Sequence, residues 1–94
     1  MELDWQGLLR YLHGLISKEV VLVAKADEGD TSMAAIGAFD SAQVEDAENG
    51  ETMAISLTTG AAIYVPQDQF KFAYIRGLQL HIGSGAMVFQ ITPR

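Results

Sequence analysis

The chain has 94 residues, enough for one compact domain and few enough that burying an adequate core alone is not assured, so oligomerisation is an expected support. Its hydrophobic content of 49% excludes a disordered chain, and no apolar run reaches the ~20 residues a membrane-spanning helix needs. The absence of cysteine excludes disulfides, thiolate catalysis and cysteine zinc sites, and a formal charge of −6 disfavours general attraction to polyphosphate, which depends on cationic groups releasing counterions.

The start, "MELDWQ", lacks the basic region and apolar stretch of a secretory signal, so the expected location is cytoplasmic. From Asp4 to about Ser17 the apolar residues Trp5, Leu8, Leu9, Leu12, Leu15 and Ile16 recur at spacings of three and four, which predicts an amphipathic helix over about 4–17. Asp4 can cap its start by accepting from free backbone N–H groups. Gly7 and Gly14 each weaken it by roughly 1 kcal/mol relative to alanine. Such a helix needs a surface to lie on.

After Lys18 the pattern changes to short strand-like runs, "VVLVAKA", "SMAAIGAF", "TMAISLTT", "AAIYV", "FKFAYI", "LQLHI" and "AMVFQI". Between them stand "DEGD", "ENGE", "TTG", "PQDQ", "RG" and "GSG", which carry the residues turns require. The economical reading is one helix followed by an antiparallel meander over about 19–92, bent strongly enough to close into a small barrel that hides its sheet edges. Pro66 interrupts the ladder after "AAIYV", leaving either a bent strand or a loop before "FKFAYI". There alternation predicts Phe70, Phe72 and Tyr74 on one face, opposite Lys71, Ala73 and Ile75, in a role of core or subunit packing.

A helix, several bent strands and a penultimate strand ending in Ile75-Arg76-Gly77 resemble the Sm-like (Lsm) family. "IRGLQLHI" matches its second motif through Ile75, Arg76, Gly77, Leu80 and Ile82; "IGAFD" matches the end of the first through Ile36, Phe39 and Asp40, with Ala34 in place of its usual glycine. The resemblance covers most of residues 4–82 and leaves the tail "GSGAMVFQITPR" outside it. It implies an SH3-like small barrel of mainly β structure as a single domain over 1–94, a homo-oligomeric ring joined edge to edge, and contact with single-stranded RNA at Asp40, Arg76 and Gly77. In the family a planar side chain two residues after the aspartate stacks on a base and an asparagine four residues after it reads the base edge. This chain has Ala42 and Val44 there, which offer neither an aromatic face nor a hydrogen bond.

Each candidate also has a plainer role. Arg76 can pair with Asp40 where the implied barrel brings their turns together, and Gly77 can supply a backbone conformation closed to other residues. His13 and His81 have no neighbours at metal-ligand spacing, and the carboxylates Glu45, Asp46, Glu48 and Glu51 lack the EF-hand pattern and fit a solvated hairpin tip. No nucleophile, phosphate loop or cofactor signature is legible. The expectation is therefore a ring-forming module that binds single-stranded RNA without catalysis, metal or cofactor. The alternative is a protein–protein scaffolding ring that has lost the uridine pocket.

Overall fold

A computed structural model describes residues 1–26, 31–48 and 50–94; residues 27–30, where the sequence predicts a charged turn, and Asn49 of "ENGE" lie outside the described residues. Helix α1 (Trp5–His13) begins where expected, with the Asp4 carboxylate accepting from the Gly7 N–H at 2.7 Å. It ends earlier than the apolar spacing predicts. From Gly14 to Ile16 the N–H groups reach back three residues instead of four, Leu15 donating to the Leu12 carbonyl at 2.9 Å; Ser17 donates across to the Phe39 carbonyl at 2.8 Å, and Lys18 back to that of Leu15 at 2.9 Å. Ser17 then takes a positive φ of 74°. The tightened turn keeps Leu15 in the core with Trp5, Leu8 and Leu12, but swings Ile16 out to 45% exposure.

His13, in the last turn of α1, fastens the helix to the sheet. Its Nε2 lies 2.9 Å from the Ala42 carbonyl, and since a carbonyl only accepts, Nε2 carries the proton. Replacing His13 with alanine is expected to lower unfolding free energy by about 1 kcal/mol, the usual net worth of such a bond. Urea unfolding of the two proteins measures the difference, which should appear as a lower midpoint at unchanged slope.

The strands are β1 (Glu2–Leu3), β2 (Glu19–Ala26), β3 (Thr31–Ala47), β4 (Gly50–Leu57), β5 (Ala62–Pro66), β6 (Phe70–Arg76), β7 (Gln79–Ser84) and β8 (Met87–Pro93). They form one eight-stranded antiparallel sheet in the order β1-β6-β7-β8-β2-β3-β4-β5. Alternation sends one side of each strand inward. Ile75, Leu80, Ile91, Leu22 and Ala35 stand opposite one another across five neighbouring strands, and Leu80, Ile91 and Leu22 are almost wholly buried against the helix residues.

The long strand β3 serves two partners. Its first part pairs with β2 and its second with β4, and the change falls at a bulge where Phe39 faces Leu57 and Ser41 faces Ser56, leaving Asp40 as the extra residue. A bulge bends its strand and increases local twist. That bend folds the β3-β4-β5 limb back over the core and buries Phe39, Met53, Ile55 and Val65.

The structure is mainly β with one N-terminal helix, as expected, but the sheet is not closed into a barrel. Closure would require β5 to pair with β6. Pro66 has no N–H to continue the β5 ladder, the next residues form a 3-10 turn (Gln67–Gln69), and β1 already occupies part of the outer edge of β6. The turn also decides the question that Pro66 raised: a short 3-10 connection, not a bent strand, joins the two runs.

A second bulge corrects the expected facing of the aromatic residues. Phe70 faces Ser84 and Phe72 faces Gly83, so Lys71 is the extra residue and the alternation shifts by one. Phe70 therefore packs inward, its ring meeting that of Trp5 edge to face with centroids 5.5 Å apart, while Phe72 and Tyr74 face out. Trp5 is 8% exposed and its indole Nε1 has no hydrogen-bond partner. Since an unpaired buried donor costs about 1–3 kcal/mol, Trp5→Phe should recover much of the packing it loses. The expected destabilisation is below about 1 kcal/mol, against about 3–5 for Trp5→Ala; chemical unfolding of the pair checks the contrast.

Candidate functional site

Asp40 is exposed at the β3 bulge, and Arg76 is exposed at the end of β6. Gly77 follows with φ 62° in a two-residue loop closed by the Arg76 and Gln79 pair, and a positive φ at the first loop position alone is the type II′ pattern. Gly77 thus has the conformational role expected of it.

The expected partnership of Asp40 with Arg76 is not formed: no ion pair joins them among the described residues. Strand β8 is the reason. It lies between β7 and β2, so β6 and β3 are four strand-to-strand steps apart, each ~4.8 Å along the sheet. Arg76 is also level with Ile36 in the register, not with Asp40. The two positions where the uridine pocket would read a base are turned to the core, Ala42 being buried and Val44 packed against the buried cluster.

Arg76 belongs instead to the outer face of the β6-β7-β8-β2-β3 sheet. One row across this face runs Tyr74, His81, Gln90, Val23 and Ala34; the row toward Arg76 runs Gln79, Thr92, Val21 and Ile36; the row on the other side runs Phe72, Gly83, Val88 and Lys25. Tyr74 and His81 are stacked, with centroids 4.7 Å apart and planes at 12°. Phe72 continues the stack at 5.6 Å and 30°. Gln79 Nε2 donates to Thr92 Oγ1 at 3.1 Å and stiffens the row beside Arg76.

Gly83 allows the stack to form. A Cβ placed on it would fall within the Phe72 ring, nearest Cε2, with Cδ2 and Cζ both at 2.6 Å, the pattern of an atom above the ring plane. Phe72 therefore lies flat over the Gly83 backbone and turns its other face outward at 38% exposure. Only glycine leaves that space.

Charge on this face differs from that of the whole chain. Arg76 and Lys25 flank the stack, and both lower the pKa of His81, whose own partial burial is the larger cause. Glu2 stands opposite Tyr74, and Glu19 is taken up by Arg94 at 2.8 Å. The carboxylates Glu45, Asp46, Glu48 and Glu51 gather at the β3–β4 hairpin on the other limb, where Glu48 and Glu51, with Asp68 of the 3-10 turn, line a cavity of about 350 Å³ together with Thr52, Pro66 and Gln69. No group of three or more potential metal ligands occurs among the described residues.

Of the expected site, then, Arg76 and Gly77 sit at one end of a continuous face and Asp40 does not. Phe72, Tyr74, His81 and Lys25 join Arg76 there. The "FAYIR" alternation was a usable signal for the residues from β6, whereas the contribution of His81 and Lys25 depends on strand order. Comparison with family models, curated proteins and solved structures finds no match.

Proposed function

We propose that the chain is a non-catalytic module that binds single-stranded RNA on the outer face of this sheet, in a Sm-like arrangement of helix and bent strands spread open by β8. The observation that carries the reading is the outward-facing Phe72–Tyr74–His81 stack, exposed at Phe72 and half-buried at the other two rings, with Arg76 and Lys25 at its flanks. Aromatic faces accept unpaired bases of any sequence, worth ~1–3 kcal/mol per base, and flanking cations hold the phosphates. The concentration of carboxylates on the other limb makes a local anion site compatible with a net charge of −6. Contact through this face replaces the loop pocket implied by the Sm-like resemblance, whose remaining residues lie apart.

Titrating labelled oligouridylate and a mixed-sequence RNA against the protein at low and moderate salt tests the proposal. Binding should weaken steeply with salt, and Arg76→Ala should reduce the slope of log K against log[salt] by about 0.7 for one lost phosphate contact. Absence of salt-sensitive binding to both RNAs rejects it.

A protein–protein scaffolding role is the second reading, favoured by the aliphatic side of the same face at Val21, Val23 and Ile36 and by the outer edge of β5. That edge makes no ladder among the described residues, carries no charged residue, and leaves Tyr64 61% exposed. An unguarded edge at one end of the sheet and the partly covered β6 at the other suit head-to-tail pairing into a ring. Light scattering over a concentration series checks this: Tyr64→Lys should return an assembled species to monomer.

A further inference from the structure

We infer that His81 is a proton-gated cation of the outer face, so that single-stranded RNA is held more tightly as the solution is acidified from about pH 7.5 to about pH 5.5. The inference rests on the RNA reading of this face and concerns its regulation.

The geometry places His81 where its charge would count. The imidazole is stacked on Tyr74 at the end of the Phe72–Tyr74–His81 stack, between Arg76 on one side and Lys25 on the other. Charged and titratable groups around it come from each neighbouring strand. From β6 there are Tyr74, Arg76 and Lys71, the last at the bulge and engaged in an interaction of its own. From β1 there is Glu2, opposite Tyr74. From β2 there are Lys25 and Glu19, with Glu19 held by Arg94. Strand β8 presents the uncharged Gln90 directly opposite.

Without a ligand, burial and the two cations disfavour the imidazolium, and the ring is neutral near pH 7. A polyanion reverses the balance. Phosphates neutralise the repulsion from Arg76 and Lys25 and offer the third positive charge a partner, so RNA binding draws a proton onto His81 as pH falls. By linkage, RNA must then raise the pKa of His81 by the logarithm of the affinity ratio between its charged and neutral forms. His13 lies on α1 and holds the Ala42 carbonyl, outside this face.

Oligouridylate is the suitable probe because uracil does not titrate in this range. In anisotropy titrations of the full chain, affinity should rise about three- to tenfold between the two pH values, and the salt slope should steepen by about 0.7 at the lower one. His81→Gln removes one ring of the stack and should bind more weakly than wild type at about pH 7.5, and it should lose both changes, while His13→Gln should retain them. Proton NMR of wild-type protein supplies a check that does not depend on any variant's folding: the midpoint of the His81 imidazole should rise by about 0.5–1 unit on adding RNA, in keeping with that affinity ratio. Equal affinity and slope at both pH values, or an unchanged response in His81→Gln, overturns the inference and leaves the RNA reading intact. No binding at either pH overturns both.

Discussion

Truncation after Gly85 is expected to abolish the folded state. The removed segment contains β8, which is hydrogen-bonded to β7 on one side and β2 on the other and contributes Phe89 and Ile91 to the core. Burying side chains of that size is worth about 1.5–3 kcal/mol each. A chain of this length is stable by about 5–14 kcal/mol in all, so the loss of both side chains consumes much of the margin. The backbone adds more: every group that β7 and β2 had paired with β8 would be stranded in the middle of the sheet. Far-ultraviolet circular dichroism of residues 1–85 should show loss of native structure at 25 °C, and Gln90→Pro in the full chain should cost about 3 kcal/mol or more by removing a donor from a central strand. The Sm-like resemblance ends near Ile82 and implies the opposite outcome, a closed barrel that does not need the tail. A cooperatively folded 1–85 would mean that β7 can pair directly with β2 and that the open sheet is not the required arrangement.

The helix start and seven of the strand runs were legible because each depends on local periodicity, whereas β1 and the second half of β3 were not among the expected runs. Asp4 caps where its position predicts, and the alternating residues of β2, Val20, Leu22 and Ala24, face inward as a two-residue period requires. What local pattern does not encode is a shift of one residue in a ladder. Lys71 reads as an ordinary outward position in "FKFAYI", yet as a bulge residue it places Phe70 and Phe72 on opposite sides of the sheet. Strand order is equally hidden. Residues 87–93 look like an appended hairpin strand, and their insertion beside β2 separates Asp40 from Arg76 while drawing Lys25 toward His81. The candidate site therefore kept its arginine and changed its neighbours.

The Phe72–Gly83 contact makes the sharpest prediction about that site because its sign depends on background. In the wild-type protein Gly83→Ala should destabilise by about 1–3 kcal/mol, since the added methyl enters the space occupied by the face of Phe72 and the ring must leave its position. Backbone strain contributes nothing to this cost, because Gly83 is not among the glycines with positive φ. In a Phe72→Ala background the same substitution meets no ring. There the reduced freedom of the unfolded chain prevails, and alanine should be neutral or stabilising by about 0.4–1 kcal/mol. A double-mutant cycle from urea unfolding should thus give a coupling of more than about 1 kcal/mol and a reversal of sign. The same displacement offers a test of the RNA reading: if the flat Phe72 ring receives a base, Gly83→Ala should weaken oligouridylate binding about as much as Phe72→Ala, although it removes no aromatic group. Unchanged affinity in Gly83→Ala, with the ring shown by its altered proton shifts to have moved, would place the bases elsewhere on the face and leave Tyr74, His81 and Arg76 as the contact.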